Sequence, residues 1–261
     1  MLGKLWALTL RELRSWARSP FFSLSFLIGP FIWVFVFGNA FNSAFFGPGT
    51  STTSLEGAPN YFSFIATGMF VVMPMTFSGR TGTSIFADRA KGYLDRLLVS
   101  PTSRETIVHA KVFGSMILGL LQAAILIAVA VPFGLQLPNF SPLSLSILVG
   151  SVLFLSYGFS TVYLIMSMRI RRWATQQFAV TLLSTPIMFI SNAFYPGSKI
   201  PQWIGGLAAL NPISYAINVT RGLFFGGDSA INATLLFNFG VLVLFAAASS
   251  VALLVTSRRW L

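Results

Sequence analysis

The chain has 261 residues, of which 55% are apolar, 15% aromatic and only 9% charged, and it contains no cysteine. A soluble domain carries roughly a quarter charged residues, so 17 Lys plus Arg and 6 Asp plus Glu cannot clothe a water-facing surface of this size, and a soluble enzyme is excluded. The formal charge of +11 lies in short basic clusters between long apolar runs, which points to lipid head groups rather than nucleic acid as the phosphates they meet.

Residues 1–20 read as an amphipathic interfacial helix. At about 100° per residue Leu2, Leu5, Trp6, Leu13 and Trp16 share one face, and Lys4, Arg11, Arg14 and Arg18 the other. Such a helix lies in the head-group layer with its cations on anionic lipid, and Pro20 stops it; packing on a partner is the other reading of the same pattern. The apolar run that follows starts at Phe21 and is too long for a signal peptide, so it is expected to be retained.

Residues 21–261 are expected to form an all-α integral membrane protein of six spans, since crossing about 30 Å of hydrocarbon takes about 20 apolar residues. The spans fall near 21–41, 61–82, 107–131, 143–168, 173–192 and 235–256, each without an acidic residue. Lys and Arg near span ends stay cytoplasmic. Apart from Lys199 and Arg221 in the fifth connection, every basic residue lies at the N-terminus, in or beside the second and fourth connections, or at the tail. Both termini are therefore predicted cytoplasmic, in a multi-pass protein of a prokaryotic cell membrane.

Two connections are more than loops. In the second, Ala87, Ala90, Leu94, Leu97 and Leu98 follow helical spacing with Asp88, Arg89, Lys91, Asp95 and Arg96 around them. This predicts a short amphipathic cytoplasmic helix from Asp88 to Val99, ended by Pro101, whose apolar stripe needs a membrane surface or a protein to dock on. Thr102 and Glu105 then have capping-box spacing for the third span. The fifth connection, 194–234, is apolar yet broken by Pro196, Pro201, Gly205, Gly206, Pro212, Gly222, Gly226 and Gly227. Its pieces are too short to cross hydrocarbon, so an outer re-entrant helical hairpin is expected, with its broken backbone groups satisfied inside protein.

Catalytic and metal constellations are missing from the pattern. His109, the single histidine, reads as a packing or interfacial residue, because a metal needs several convergent donors. No acid lies in an expected span, which argues against a proton-driven carrier. Polar stripes run along the second span (Ser63, Thr67, Ser78) and along the fifth (Gln177, Thr181, Ser184, Ser191, Asn192). They are either interhelical glue or the wall of a path. There is no Gly-x-x-x-x-Gly-Lys-Ser/Thr loop to hold nucleotide phosphates.

Three stretches resemble a known family. Asp88, Gly92, Leu94, Asp95, Leu97, Ser100 and Pro101 are similar to the acidic-x-x-x-Gly-x-Leu-acidic-x-Leu pattern, closed by Ser/Thr-Pro, of the type-2 permease subunits of ATP-binding-cassette (ABC) exporters. Phe189, Ser191, Phe194, Pro196, Pro201 and Trp203 resemble that family's aromatic-small-Pro segment. Asn211, Pro212, Ser214, Tyr215 and Arg221 resemble its Asn-Pro-x-Ser-Tyr signature with a following Arg. The likeness is greatest to the branch containing the daunorubicin-exporter and nodulation-factor-exporter membrane subunits. Asn218 stands where relatives often carry an acid, so no charge role is transferred there.

What the resemblance implies is a transmembrane permease subunit that is not itself an enzyme. It would be dimerised as a homodimer or related heterodimer and driven by two copies of a separate ATPase, which alone would carry ATP and magnesium. Drug, lipid or natural-product-like molecules would be its cargo. Asp88, Arg89, Lys91, Gly92, Asp95 and Arg96 become the expected coupling residues, and Pro196, Trp203, Asn211, Pro212, Tyr215 and Arg221 the expected outer gate. A permease for polysaccharide or lipid-linked glycan is the alternative within the family, and an ATP-independent channel or a membrane-embedded enzyme the alternative outside it. No cofactor and no nucleic-acid partner are expected for this chain.

Overall fold

The computed structural model describes residues 2–18, 28–29, 31–38, 40, 55–90, 92, 99, 103–138, 140–170, 172–197 and 201–260. Among the described residues every regular element is helical. In chain order these are α1 (Leu2–Ala17), a π-helical piece (Phe31–Phe37), α2 (Tyr61–Ser78), α3 (Arg80–Ala90), α4 (Arg104–Ala130), α5 (Pro142–Arg169), α6 (Trp173–Ile190), α7 (Gln202–Ala208), α8 (Pro212–Gly226) and α9 (Ala233–Trp260). Four stretches are long and apolar enough to cross a membrane: Tyr61–Arg89, Glu105–Phe133, Pro142–Arg169 and Ala233–Ser257. At about 1.5 Å per residue, the 27 residues of α4 reach about 40 Å.

The helix starts are written in the sequence. Asn60, Ser103, Ser141 and Asn211 each accept a backbone N–H of the first turn, and Pro142 and Pro212 occupy first helical positions, where a missing N–H costs nothing. The third expected span begins one residue later than its capping-box spacing implied, because the Ser103 hydroxyl takes the Thr106 N–H. Pro74 removes a donor within α2, and the chain tightens at Gly79 before α3 continues almost in line.

Helix α2 is apolar all round and is accordingly the innermost element. All of it but Thr76 and Phe77 is buried, among α4, α5, α8 and the π-helical piece. Gly68 permits a close backbone approach, since a β-carbon there would lie 2.7 Å from the Ala193 carbonyl oxygen. Helices α4 and α9 form the outside, with α9 packed on α5 and α8.

Helix α6 stands apart. It has 18 residues, but Thr175, Gln176, Gln177, Thr181, Ser184 and Thr185 dilute its apolar character, and it is not among the four membrane-crossing stretches. Trp173, Phe178, Leu182 and Phe189 on it are all exposed, Phe178 to 67%. Most of the first expected span, 21–41, lies outside the described residues. Its piece Phe31–Phe37 sets Trp33 against Phe194 and Phe35 against Phe133 in tilted ring contacts, with centres 5.6 and 4.8 Å apart.

Two ends of the bundle follow. One, the basic end, gathers α1, the end of α3, the start of α4, the end of α5 and the start of α6. The other, the hairpin end, gathers α7, α8 and the start of α2.

Gly68→Ala is expected to lower the unfolding free energy by about 1–3 kcal/mol through overpacking, although alanine is the better helix former. Gly240→Ala, where nothing lies within 4 Å, is expected to be neutral or slightly stabilising. Thermal unfolding of both variants in detergent checks this; equal effects would deny the close approach of α2 to Ala193.

Candidate functional site

At the basic end the amphipathic α1 is bolted to its own chain. The Thr9 hydroxyl donates to the Ala110 carbonyl at 3.4 Å, and Gly114 of α4 leaves room for the Glu12 stem. The Lys111 ammonium lies 3.1 Å from Glu12 Oε1, 2.5 Å from Asp88 Oδ2 and 3.0 Å from the Ser84 hydroxyl. Arg11 Nη2 reaches Asp88 Oδ1 at 2.6 Å. Lys111 is only 3% exposed and Asp88 7%, while Arg11 is 34% and Glu12 18% exposed, so α1, α3 and α4 are joined through a buried Lys111–Asp88 pair with partly exposed partners on its α1 side. Removing one member of such a cluster strands a buried charge.

Of the expected coupling residues, Asp88 is thus turned inward at the end of α3, while Arg89 is half-buried. The helix carrying Asp88 begins at Arg80 and ends at Ala90. Gly92 follows with φ +61°, a left-handed turn that suits glycine. Lys91, Asp95 and Arg96 lie outside the described residues, as does most of the helix expected over 88–99. Arg11, expected on lipid, instead faces Asp88; Arg14, Arg18 and Trp6 stay exposed.

At the hairpin end a buried arginine does the joining. Arg221, 3% exposed, sets Nη1 2.7 Å from Glu56 Oε2 and donates from Nη2 to the carbonyls of Ala193 (3.2 Å) and Phe64 (3.4 Å). Its guanidinium lies 3.6 Å from the Phe64 ring centre, a cation–π contact. Glu56 Oε1 in turn accepts the Gly197 N–H at 2.7 Å. Asn211 caps α8 through the Ile213 N–H and donates to the Ile187 carbonyl of α6 at 2.7 Å. The Tyr215 hydroxyl donates to the Ala209 carbonyl at 2.6 Å, closing the turn between α7 and α8. Pro196 is buried beside this knot, whereas Trp203 on α7 is 71% exposed. In the turn before α9, hydrogen bonds from Ser144 and Ser141 at the start of α5 hold the Asp228 carboxyl below the usual carboxylate range.

The two polar stripes are placed differently. Ser63, Thr67 and Ser78 lie inside α2's packing, with Thr67 bonded to the Ser63 carbonyl and Ser78 to those of Pro74 and Ser156. On α6, Gln177 and Thr181 are exposed, while Ser184 lies 2.7 Å from the Tyr163 hydroxyl. Ser191 and Asn192 are buried in the turn after α6, and Asn192 donates to Asn218 Oδ1 at 2.7 Å. Gln176 donates to Ser167 at 2.7 Å. Polar bonds thus hang α6 on its neighbours along its length. His109 packs between Phe113 and Tyr157.

Comparison with known proteins agrees with this architecture. A family model described as "ABC-2 type transporter" matches residues 3–225. The chain belongs to the ABC-2 type transporter family. A "Putative transport permease ycf38" of Cyanophora paradoxa is 28% identical over 208 residues, covering 79% of this chain and 69% of the relative. The "Inner membrane transport permease YadH" of Escherichia coli (strain K12) is 27% identical over 193 residues, 72% of each. The "Daunorubicin resistance ABC transporter permease protein DrrB1" of Streptomyces coeruleorubidus is 24% identical over 241 residues, 90% of this chain and 81% of the relative. The chain is therefore a membrane protein of a permease family, and its named relatives are transport permeases.

Glu56, Glu12 and Lys111 were not singled out by sequence reasoning. Glu56 is the single acid of the first connection and Arg221 the single arginine of the fifth, so that pairing was available as a signal. Lys111 counted only toward orientation.

Lys111→Met is expected to cost about 3–5 kcal/mol, the usual effect of breaking a buried pair, and the double variant Asp88→Asn/Lys111→Met to recover much of that loss. Denaturant unfolding in detergent measures both. A single variant as stable as the parent would mean that the cluster does not anchor α1.

Proposed function

We propose that this chain is the membrane-spanning permease subunit of an ATP-driven exporter, working as a dimer with two copies of a separate ATPase. Family membership gives the class. The observation that carries the assignment of parts is the cluster of Arg11, Glu12, Asp88 and Lys111, built on the buried Lys111–Asp88 pair, which joins α1, α3 and α4 at the end of the bundle rich in Lys and Arg. The connection 91–103 leaves from that fused base, so a push on it is delivered to three helices at once. In this reading the basic end is cytoplasmic by the positive-inside rule. The ATPase meets Arg89, Lys91, Gly92, Asp95 and Arg96, while Asp88 holds the connection to the bundle. ATP and magnesium belong to that partner.

The complete permease has six spans, the first over 21–41 and the fifth over α6. A second copy covers the exposed apolar side of α6, where Gln177 and Thr181 face the path; Ser63, Thr67 and Ser78 serve packing. ATP-driven closure of the ATPase then shifts the two copies between arrangements that differ in contacts, as any coupled transition requires. The hairpin end, with Pro196, Trp203, Asn211, Pro212, Tyr215 and Arg221, forms the outer gate. A drug, lipid or natural-product-like cargo is favoured by the likeness to a daunorubicin-resistance permease.

The cysteine-free sequence makes the orientation directly testable. In intact cells Trp203→Cys is expected to react with a membrane-impermeant maleimide, and Arg14→Cys only after permeabilisation; the reverse pattern would invert the topology.

Purification of the tagged chain from its own membranes is expected to bring down a stoichiometric ATPase subunit with ATP hydrolysis. Asp95→Ala/Arg96→Ala should then uncouple hydrolysis from daunorubicin efflux while leaving the chain folded. A chain that purifies without ATPase, or a double variant with unchanged coupling, overturns this assignment.

A further inference from the structure

Beside the buried arginine, between α8 and the start of α9, the hairpin end holds an open recess of about 290 Å³, near the lower end of the roughly 300–1,000 Å³ usual for small-molecule sites. Its polar wall is Glu56, Asn218, Arg221, Asn232, Thr234 and Asn238, over an apolar floor that includes Leu235. Three carboxamides and a hydroxyl on one small surface are unusual in a chain with so little polar content.

The bonding capacity of this wall is only partly used. Arg221 is 3% exposed, and with Nη1 on Glu56 and Nη2 on two carbonyls its Nε–H is left buried without an acceptor. That Nε–H has no surface open to the recess, so the donors a ligand can reach belong to the asparagines and Thr234. Asn218 spends its oxygen on Asn192, and Asn232 spends its oxygen on the Leu235 N–H as the cap of α9; each keeps an NH₂ to give. Asn238 lines the recess while only 8% exposed and can both give and accept. Among the described lining residues Arg221 is the one cation, and Glu56 neutralises it, so an anion finds no net charge to bind. Donors interleaved with acceptors and no net charge match groups that themselves both give and accept, namely adjacent hydroxyls.

We infer that this recess binds the neutral polyhydroxylated head group of a sugar or polyol. The same chemistry can arrive on a membrane amphiphile or as a free sugar. The inference goes beyond the exporter reading, and its assay uses neither ATP nor ATPase. Failure here leaves that reading standing, and failure to recover an ATPase leaves this result interpretable.

The full chain is extracted with styrene–maleic acid, so that no sugar detergent is present, and titrated with tritiated decyl maltoside. Saturable binding of one molecule per chain is expected, displaced by unlabelled decyl maltoside and not by decylphosphocholine. Asn238→Leu is expected to weaken binding at least tenfold. Thr234→Val, an exposed position that leaves the α9 cap intact, should weaken it several-fold and guards against misfolding of the first variant. Displacement by maltose at equal concentration identifies a free sugar as sufficient; displacement only by the chain-bearing compound identifies a membrane amphiphile. Absence of saturable binding, equal displacement by decylphosphocholine, or folded variants that bind like the parent would overturn the inference.

Discussion

A backbone carbonyl or a charge inside an apolar bundle has no water to turn to, and the hairpin end of this protein is arranged around that constraint. Between Ser191 and Gly227 the chain breaks its helices repeatedly, and each break frees groups that must be paired within the protein. Arg221 supplies much of the pairing. One guanidinium accounts for the Ala193 and Phe64 carbonyls and for Glu56, while Glu56 passes the constraint on to Gly197. Lysine could not replace it, because a point charge lacks the planar fork that reaches three acceptors and lies flat on a ring. Asn211 repeats the device on a smaller scale, capping α8 and holding the end of α6 with one amide.

The basic end meets the same constraint with charges on side chains. Together the two clusters clamp the continuous rod of α2 and α3 at its extremes: Phe64 in the first turns of α2, Asp88 in the last turn of α3. Most of α2 between them is buried, and at glycines 68 and 79 an added methyl would collide with Ala193 or Val180. A rod fixed at both ends transmits displacement rather than absorbing it. Helix α6 is the contrast. It is attached by Gln176, Ser184, Asn192 and Asn211, and a few directional bonds can exchange partners where an interdigitated apolar face cannot slide without opening voids.

Much of the fold was legible because length and hydropathy are coarse signals that survive local detail. The apolar runs at 61–82, 107–131, 143–168 and 235–256 each lie on a helix able to cross a membrane, and the Pro- and Gly-broken stretch after Phe194 became two short helices, α7 and α8. Asn211-Pro212 announced a helix start by chemistry alone. Pairings across the chain were less legible. Helical periodicity places Arg11 on the polar face of α1 but cannot say whether lipid or Asp88 lies opposite, since both satisfy a cation. The stripe of Ser63, Thr67 and Ser78 reads identically whether it lines a path or packs between helices, and periodicity could not say that all three would be buried in α2's packing. The start of the helix expected over 88–99 instead ends α3, with Gly92 in a left-handed turn; the rest of it and most of the first span fall outside the described residues, and their roles stay with the proposal.

The charge balance divides along the same line. Glu12 and Asp88 are taken by Lys111 and Arg11, Glu56 by Arg221, and Asp228 by two serine hydroxyls. Most of the six acids are therefore spent inside the chain, and the cations they do not meet supply the net charge of +11. Arg14, Arg18 and Arg172 are exposed at the basic end. Buried pairs respond weakly to salt, whereas exposed cations interact over about 8–10 Å at physiological ionic strength. The packing thus draws on the paired charges, and the orientation proposed above draws on the exposed ones.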